Sequence, residues 1–171
     1  MPDADRSGLG KGPRGGKRKD IHERALGLLA VRQRSRRELE RRLVQAGFEP
    51  DAVGQELQRL EAVGLIDDAA FARAVVESRM GRRGESRRSV AGKLALAGVD
   101  RGIATEVLDD AGIDEQTAAD QLAVTRSSRL RGLEPQVAFQ RLCGFLARRG
   151  YAPDVARRAA RRALAVEPLE D

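Results

Sequence analysis

The stretch SRRELERRLVQAGFEPDAV, Ser35 to Val53, decides the fold because it recurs. SRRSVAGKLALAGVDRGIA (Ser86–Ala104) and FQRLCGFLARRGYAPDVA (Phe139–Ala156) align with it on Gly47, Gly98 and Gly150, so the chain repeats about every 50 residues. One turn before each glycine stands Leu43, Leu94 or Leu146, and one turn earlier Leu39, Val90 or Leu142. These i, i+4 pairs mark the buried face of a helix. Phe48, Val99 or Tyr151 follows the glycine, as an apolar contact beyond a left-handed C-terminal cap requires. Pro50, Asp100 and Pro153 then open the next helix.

Working outward, each unit reads as three helices. In the first, Ile21, Ala25, Leu28 and Leu29 form one apolar stripe, Leu39, Leu43 and Ala46 a second, Val53, Leu57 and Leu60 a third. Phe71 with Val75, Val90 with Leu94, and Ile103 with Val107 serve the second unit. Ala118 with Leu122, Leu142 with Phe145 and Leu146, and Val155 with Ala159 serve the third. Ser35 and Glu38 have the spacing of a capping box. Gly64 and Gly112 are expected to close the first two units. The fold class is therefore all-α, with three tandem three-helix repeats in an elongated arrangement. The boundaries are 20–66, 67–113 and 114–171, the last with a short C-terminal tail. Units this small have marginal cores, so neighbours are expected to share buried surface.

Composition agrees. Of 171 residues 41% are hydrophobic, but only 3% are aromatic and none is Trp. A chain rich in Ala, Leu and Arg and poor in β-branched residues favours helices. The net charge is +6. Residues 1–19, which include GLGKGPRGGKRK, carry +4 of it and hold almost no large apolar group. They are read as a disordered basic tail, and the G-x-G-x-x-G at Gly10, Gly12 and Gly15 as chance. The rest is nearly charge-balanced, so anion binding must rest on local patches. The single Cys143 excludes an internal disulfide, which fits a reducing compartment. No apolar leader or membrane-length apolar run occurs, so the protein is expected in the cytoplasm, without membrane contact.

Arginine is distributed oddly. Arg36 and Arg37 follow Ser35, and Arg87 and Arg88 follow Ser86. They occupy the first turn of two equivalent helices, where the dipole disfavours cations. Other helix starts carry acids: Asp67 and Asp68, Asp100, Asp114 and Glu115, Glu134. The third unit has Ala138 in the aligned place. Two anion-seeking corners are inferred, with Arg82 and Arg83 beside the second. Arg157, Arg158, Arg161 and Arg162 form a strip on the last helix, opposite Ala156, Ala160 and Ala163. The candidate partner-binding residues are Arg36, Arg37, Arg82, Arg83, Arg87, Arg88, Arg157 and Arg161. Against these stands the plain abundance of arginine, 28 against 4 lysines.

Catalysis has little in the sequence to use. His22 is the lone histidine, without a nucleophile pattern beside it. Cys143 is read as a buried structural thiol. No metal-ligand cluster or phosphate-binding glycine loop occurs, and no cofactor is expected.

GLIDDAAFARAVVESRM (Gly64–Met80), with GRRGESRRSVAGKLALAGVD (Gly81–Asp100) after it, resembles the RecX family of recombinase regulators. RGLEPQVAFQRLCGFLARRGYAPDVA (Arg131–Ala156) resembles that family's C-terminal signature, and ALGLLAVRQRSRRELERRLVQAGFEPDAV (Ala25–Val53) its N-terminal part. The run Asp67-Asp68-x-x-Phe71-Ala72, with Ser78-Arg79 and the Gly98 turn, is specific in combination. The chain departs from the pattern at Glu85, where a proline is common, and at Gly92-Lys93, where a Glu-Leu-like pair is more frequent. The resemblance implies no enzyme. It implies a protein that binds the RecA recombinase filament on single-stranded DNA, lying in its helical groove, and inhibits ATP hydrolysis, strand exchange and SOS coprotease activity. The short glycine-capped links between small units predict an extended monomer. Weak contact with single- or double-stranded DNA is a secondary expectation. The arginines would meet RecA acids or DNA phosphates. The alternatives are a helix-turn-helix-like protein acting directly on DNA, and a scaffold with no nucleic-acid link.

Overall fold

Serine, aspartate and glycine set the helix boundaries. The computed structural model describes residues 20–165. They form α1 (Ile21–Val31), α2 (Arg36–Gln45), α3 (Pro50–Ala62), α4 (Asp68–Val76), α5 (Arg87–Ala97), α6 (Arg101–Asp110), α7 (Glu115–Ser127), α8 (Pro135–Arg148) and α9 (Pro153–Ala165). The expected tails over 1–19 and at the extreme C-terminus lie outside the described residues.

Ser35 and Ser86 open α2 and α5 alike. Each has extended backbone, and its hydroxyl accepts an N–H at 3.2 Å, from Glu38 and Ser89 respectively. Only half of the expected capping box forms. Glu38 turns to Arg32 (2.5 Å), Arg42 (3.0 Å) and the buried Arg34, because three guanidiniums attract a carboxylate more strongly than one backbone N–H does. The ends of α2, α5 and α8 also match. Gly47, Gly98 and Gly150 have φ of 91°, 78° and 91°. The next N–H, of Phe48, Val99 or Tyr151, reaches back to the carbonyl of Leu43, Leu94 or Leu146 at 3.1–3.3 Å. This is the six-to-one bond of a Schellman cap.

Each unit has its own apolar cluster. Leu39, Leu43, Val53, Leu57 and Leu60 fill the first around Ala25. Phe71, Ala72, Val76, Val90, Leu94, Val107 and Leu108 fill the second. Leu142, Leu146 and Tyr151 pack with alanines of α7 and α9 in the third. A fully buried leucine contributes about 1.5–3 kcal/mol, so each cluster depends on a handful of side chains.

Two expectations shift. On α7 the buried face is Ala119 and Ala123, with Ala118 and Leu122 only half-buried; alanine's small size lets α9 lie close through Ala159 and Ala160. Val75 and Ile103 are also half-buried, and Ala72, Val76, Ala104 and Leu108 replace them inside. The units do share buried surface, as expected, but it is polar: Ser35 and Ser86 are buried at the junctions, while each apolar cluster stays within its own unit. At the junctions they present helix ends, which carry backbone polar groups, with Leu122 of α7 lying over Gly84. The sequence also gave no warning that α4 continues as a π-helix over Glu77–Arg82. That segment buries Met80 and ends at Gly84, φ 60°.

Candidate cationic partner-binding surface

The misplaced arginines make sense at the junctions between units. The N-terminus of α2 meets the C-terminus of α5. Ser35 Oγ donates to the Ala97 carbonyl (2.5 Å), Arg36 N–H donates to Asp68 Oδ1 (2.8 Å), and Arg41 donates to the Leu96 carbonyl (3.3 Å). Arg37 lies flat on Gly98. A Cβ added there would sit 2.6 Å from Arg37 Cβ and 2.7 Å from its Cγ. Cations that oppose their own helix dipole therefore stand at the negative end of the next unit's helix, where they are favoured. Burial raises the carboxyl of Asp68. The Arg36 N–H works against that shift, and the charges of Glu61 and Asp67 add to it.

The second junction is built similarly, but not identically. Ser86 N–H donates to the Arg149 carbonyl at 2.9 Å. The space over Gly150 is filled by Ser86 Oγ and Ser89 Cβ, 2.6 and 2.7 Å from an added Cβ. Arg88, the counterpart of Arg37, is left to solvent. At the far end α8 starts at Pro135, and Glu134 caps it by accepting Val137 N–H at 3.0 Å. Ala138, aligned with the two serines, lies inside the helix.

The candidate arginines divide by partner. Arg36 binds Glu61 (3.0 Å), Arg82 binds Glu77 (3.1 Å) and Arg87 binds Asp109 (2.6 Å). All three pairs are solvent-accessible and hence weak. Arg83, Arg88, Arg157 and Arg161 have no carboxylate partner among the described residues. The strip on α9 splits. Arg158 reaches Asp154 (3.0 Å) and Gln116 (2.8 Å), and Arg162 reaches Asp120 (2.5 Å). Gln116 and Asp120 lie on α7.

Two clefts open between the second and third units, of about 710 and 630 Å³. Arg82, Arg83, Lys93, Arg148 and Arg149 line the first, and Arg88, Lys93 and Arg148 the second. Glu85 is the one carboxylate in either lining. It is buried and accepts from Arg79 (3.2 Å), Ser89 (3.1 Å) and Lys93. Burial alone would raise its carboxyl, but the bonds from Lys93, Ser89 and Arg79 hold it below the usual range. Both departures from the family pattern, Glu85 and Lys93, are thus bonded to each other. The fold gathers Arg82, Arg83 and Arg88 here, leaves Arg36 and Arg37 at the first junction, and puts Arg157 and Arg161 on α9. Lys93, Arg148 and Arg149 were not legible as site residues. Arg148 and Arg149 end a helix, where cations are ordinary.

Other chemistry is accounted for. His22 Nδ1 lies 2.6 Å from Glu56 Oε1, a buried carboxylate on α3. Cys143 is half-buried, not buried. Burial raises its thiol, offset in part by Arg157 and Arg161. Phe145 is half-buried too, because Arg126 and Arg149 stack on its ring at 4.9 and 5.1 Å. Among the described residues no group of three or more His, Cys, Asp or Glu is placed to hold a metal ion, and no helix is long and apolar enough to cross a membrane.

Residues 22–60, 67–108 and 114–160 match the family models described as the first, second and third three-helix domains of RecX. The chain belongs to the RecX family. The protein named Regulatory protein RecX from Mycobacterium avium (strain 104) is 42% identical over 135 residues, 77% of each chain. The one so named from Thermobifida fusca (strain YX) is 36% identical over 177 residues, 99% of this chain and 95% of its own. The crystal structure of RecX from Lactobacillus salivarius has a TM-score of 0.71 at 20% identity, covering 85% of this chain and 96% of that one. That likeness shows the shared fold, and the RecX relatives show a regulatory protein.

Proposed function

We propose that the protein binds the RecA recombinase filament and restrains ATP hydrolysis, strand exchange and the coprotease activity that triggers the SOS response. It does so without catalysing a reaction. The observation that carries this reading is the presence of all three RecX domains in sequence order. A filament is a repeated ligand, and a chain of similar units suits it. Several weak contacts linked in one chain gain affinity through effective concentration. Arg36, Arg37, Arg82, Arg83, Arg87, Arg88, Arg157 and Arg161 supply the cationic contacts in this reading, with Arg148 and Lys93 added from the clefts. Such a role belongs to the cytoplasm and to a monomer.

Direct action on bare DNA is less well supported. Phe71 and Tyr151 are buried, and Phe48, Phe139 and Phe145 are half-buried, which leaves no exposed phenyl or phenol ring for stacking on bases. The test is retention by RecA filaments, with and without DNA and nucleotide, beside inhibition of DNA-dependent ATP hydrolysis. Retention on filaments with loss of hydrolysis is expected. Equal affinity for bare DNA with hydrolysis untouched would replace this reading with a DNA-binding one.

A further inference from the structure

We propose that the smaller cleft between the second and third units seats a short acidic segment of the recombinase protein, one of whose aliphatic side chains covers Leu96. This rests on reading the protein as a filament ligand and names what its cationic junction holds.

The cleft has a volume of about 630 Å³, and its lining includes Arg88, Gly92, Lys93, Leu96, Arg148 and Tyr151. No carboxylate lines it. Lys93 is held from behind by Glu85, while Arg88 and Arg148 have no carboxylate partner among the described residues. Its charge calls for an anion.

Gly92 makes the site more specific. It lies inside α5, where glycine weakens a helix relative to alanine. A Cβ built on it meets nothing within 4 Å, so packing within the chain gives no reason for a glycine. Its absent side chain leaves the cleft floor open to the backbone of a ligand. One turn further along the same face stands Leu96, 79% exposed. A bare backbone floor, an exposed leucine and a cationic rim together fit a polypeptide. A nucleic acid would use the cations, but its bases find no exposed ring in this cleft to stack on, Tyr151 being buried, and Leu96 would go unmatched.

The test compares Gly92→Ala, Leu96→Ala and the double variant Arg88→Gln/Arg148→Gln. Binding is measured to RecA filaments on single-stranded DNA and to the same DNA alone, each over a range of salt. Gly92→Ala is expected to melt at the same or a higher temperature, yet bind filaments roughly tenfold more weakly. Leu96→Ala is expected to weaken filament binding with an unchanged salt dependence. The arginine pair should weaken it and flatten that dependence. Gly92→Ala and Leu96→Ala should leave binding to DNA alone unchanged. Filament binding by both of these variants at wild-type strength would overturn the proposal. So would parallel losses on bare DNA, which would make nucleic acid the occupant. Failure of the wild-type protein to bind filaments, seen before any substitution, would instead remove the reading on which this rests.

Discussion

Glu85 is one carboxylate answering three donors, and its behaviour with pH is predictable in sign. Its folded form titrates below the usual range, so its contribution is present above the unfolded value of about 4.3. That contribution is lost as pH falls through the folded value. Glu85→Gln should therefore destabilise the protein at neutral pH by about 1–3 kcal/mol. The gap to wild type should close in acid, as thermal melts from pH 7 to pH 3 would show. Asp68 has the opposite sign. Its carboxyl is raised, so ionised Asp68 opposes folding and stability falls as pH climbs from the unfolded value through the folded one. Asp68→Asn keeps an oxygen for the Arg36 N–H. It should melt at the same or a higher temperature at pH 7, with no advantage in acid. A clear loss at pH 7 would mean that the charge itself holds the junction. Gly98 is sensitive for two reasons, its φ of 78° and the Arg37 side chain lying on it. Gly98→Val should cost on the order of 1–3 kcal/mol, and an unchanged melting curve would count against the left-handed turn.

At the scale of the element, α2 and α5 are the same device with different tenants over the glycine, Arg37 in one junction and Ser86 with Ser89 in the other. Charge reversal separates their roles. Arg87 holds Asp109, so Arg87→Glu places two carboxylates together, and a small loss of stability, about 0–1 kcal/mol, offsets the gain from the dipole. Arg88 has no such pair, so Arg88→Glu should leave melting unchanged or raise it by about 0.3–1 kcal/mol. Both should weaken filament binding strongly, because attraction to an anionic surface becomes repulsion. Arg158, held by Asp154 and Gln116, is the control. If Arg88→Glu melts earlier and inhibits ATP hydrolysis fully, the arginine serves the fold.

For the whole molecule, separate cores joined at helix ends predict an extended particle. Small-angle scattering should give a radius of gyration well above the ~15–16 Å of a compact chain of this length. A value near that would require the units to fold back on each other. Removing residues 1–19 should leave the melting temperature and inhibition intact, since the three matched domains begin at residue 22. A basic tail adds only salt-sensitive attraction to DNA. Loss of inhibition at physiological salt would place a contact in it.

The sequence by itself determined the helices, their caps and their threefold repetition. Those follow from side chains within a turn of each other: Ser35 with the N–H of Glu38, Gly98 with the carbonyl of Leu94, Leu39 with Leu43. The family was legible for the same reason, in the runs around Phe71 and Gly98. Only the tertiary structure decided how the units meet. A capping serine facing a carbonyl 62 residues away, an arginine stem over a distant glycine, and a lysine turned inward to Glu85 leave no mark in local periodicity. The candidate site was half legible in consequence. Arg82, Arg83 and Arg88 announced themselves as charge in an unusual place. Arg148 looks ordinary in the sequence and Gly92 stands out only against the family pattern, and both became part of a cleft only when the second and third units came together.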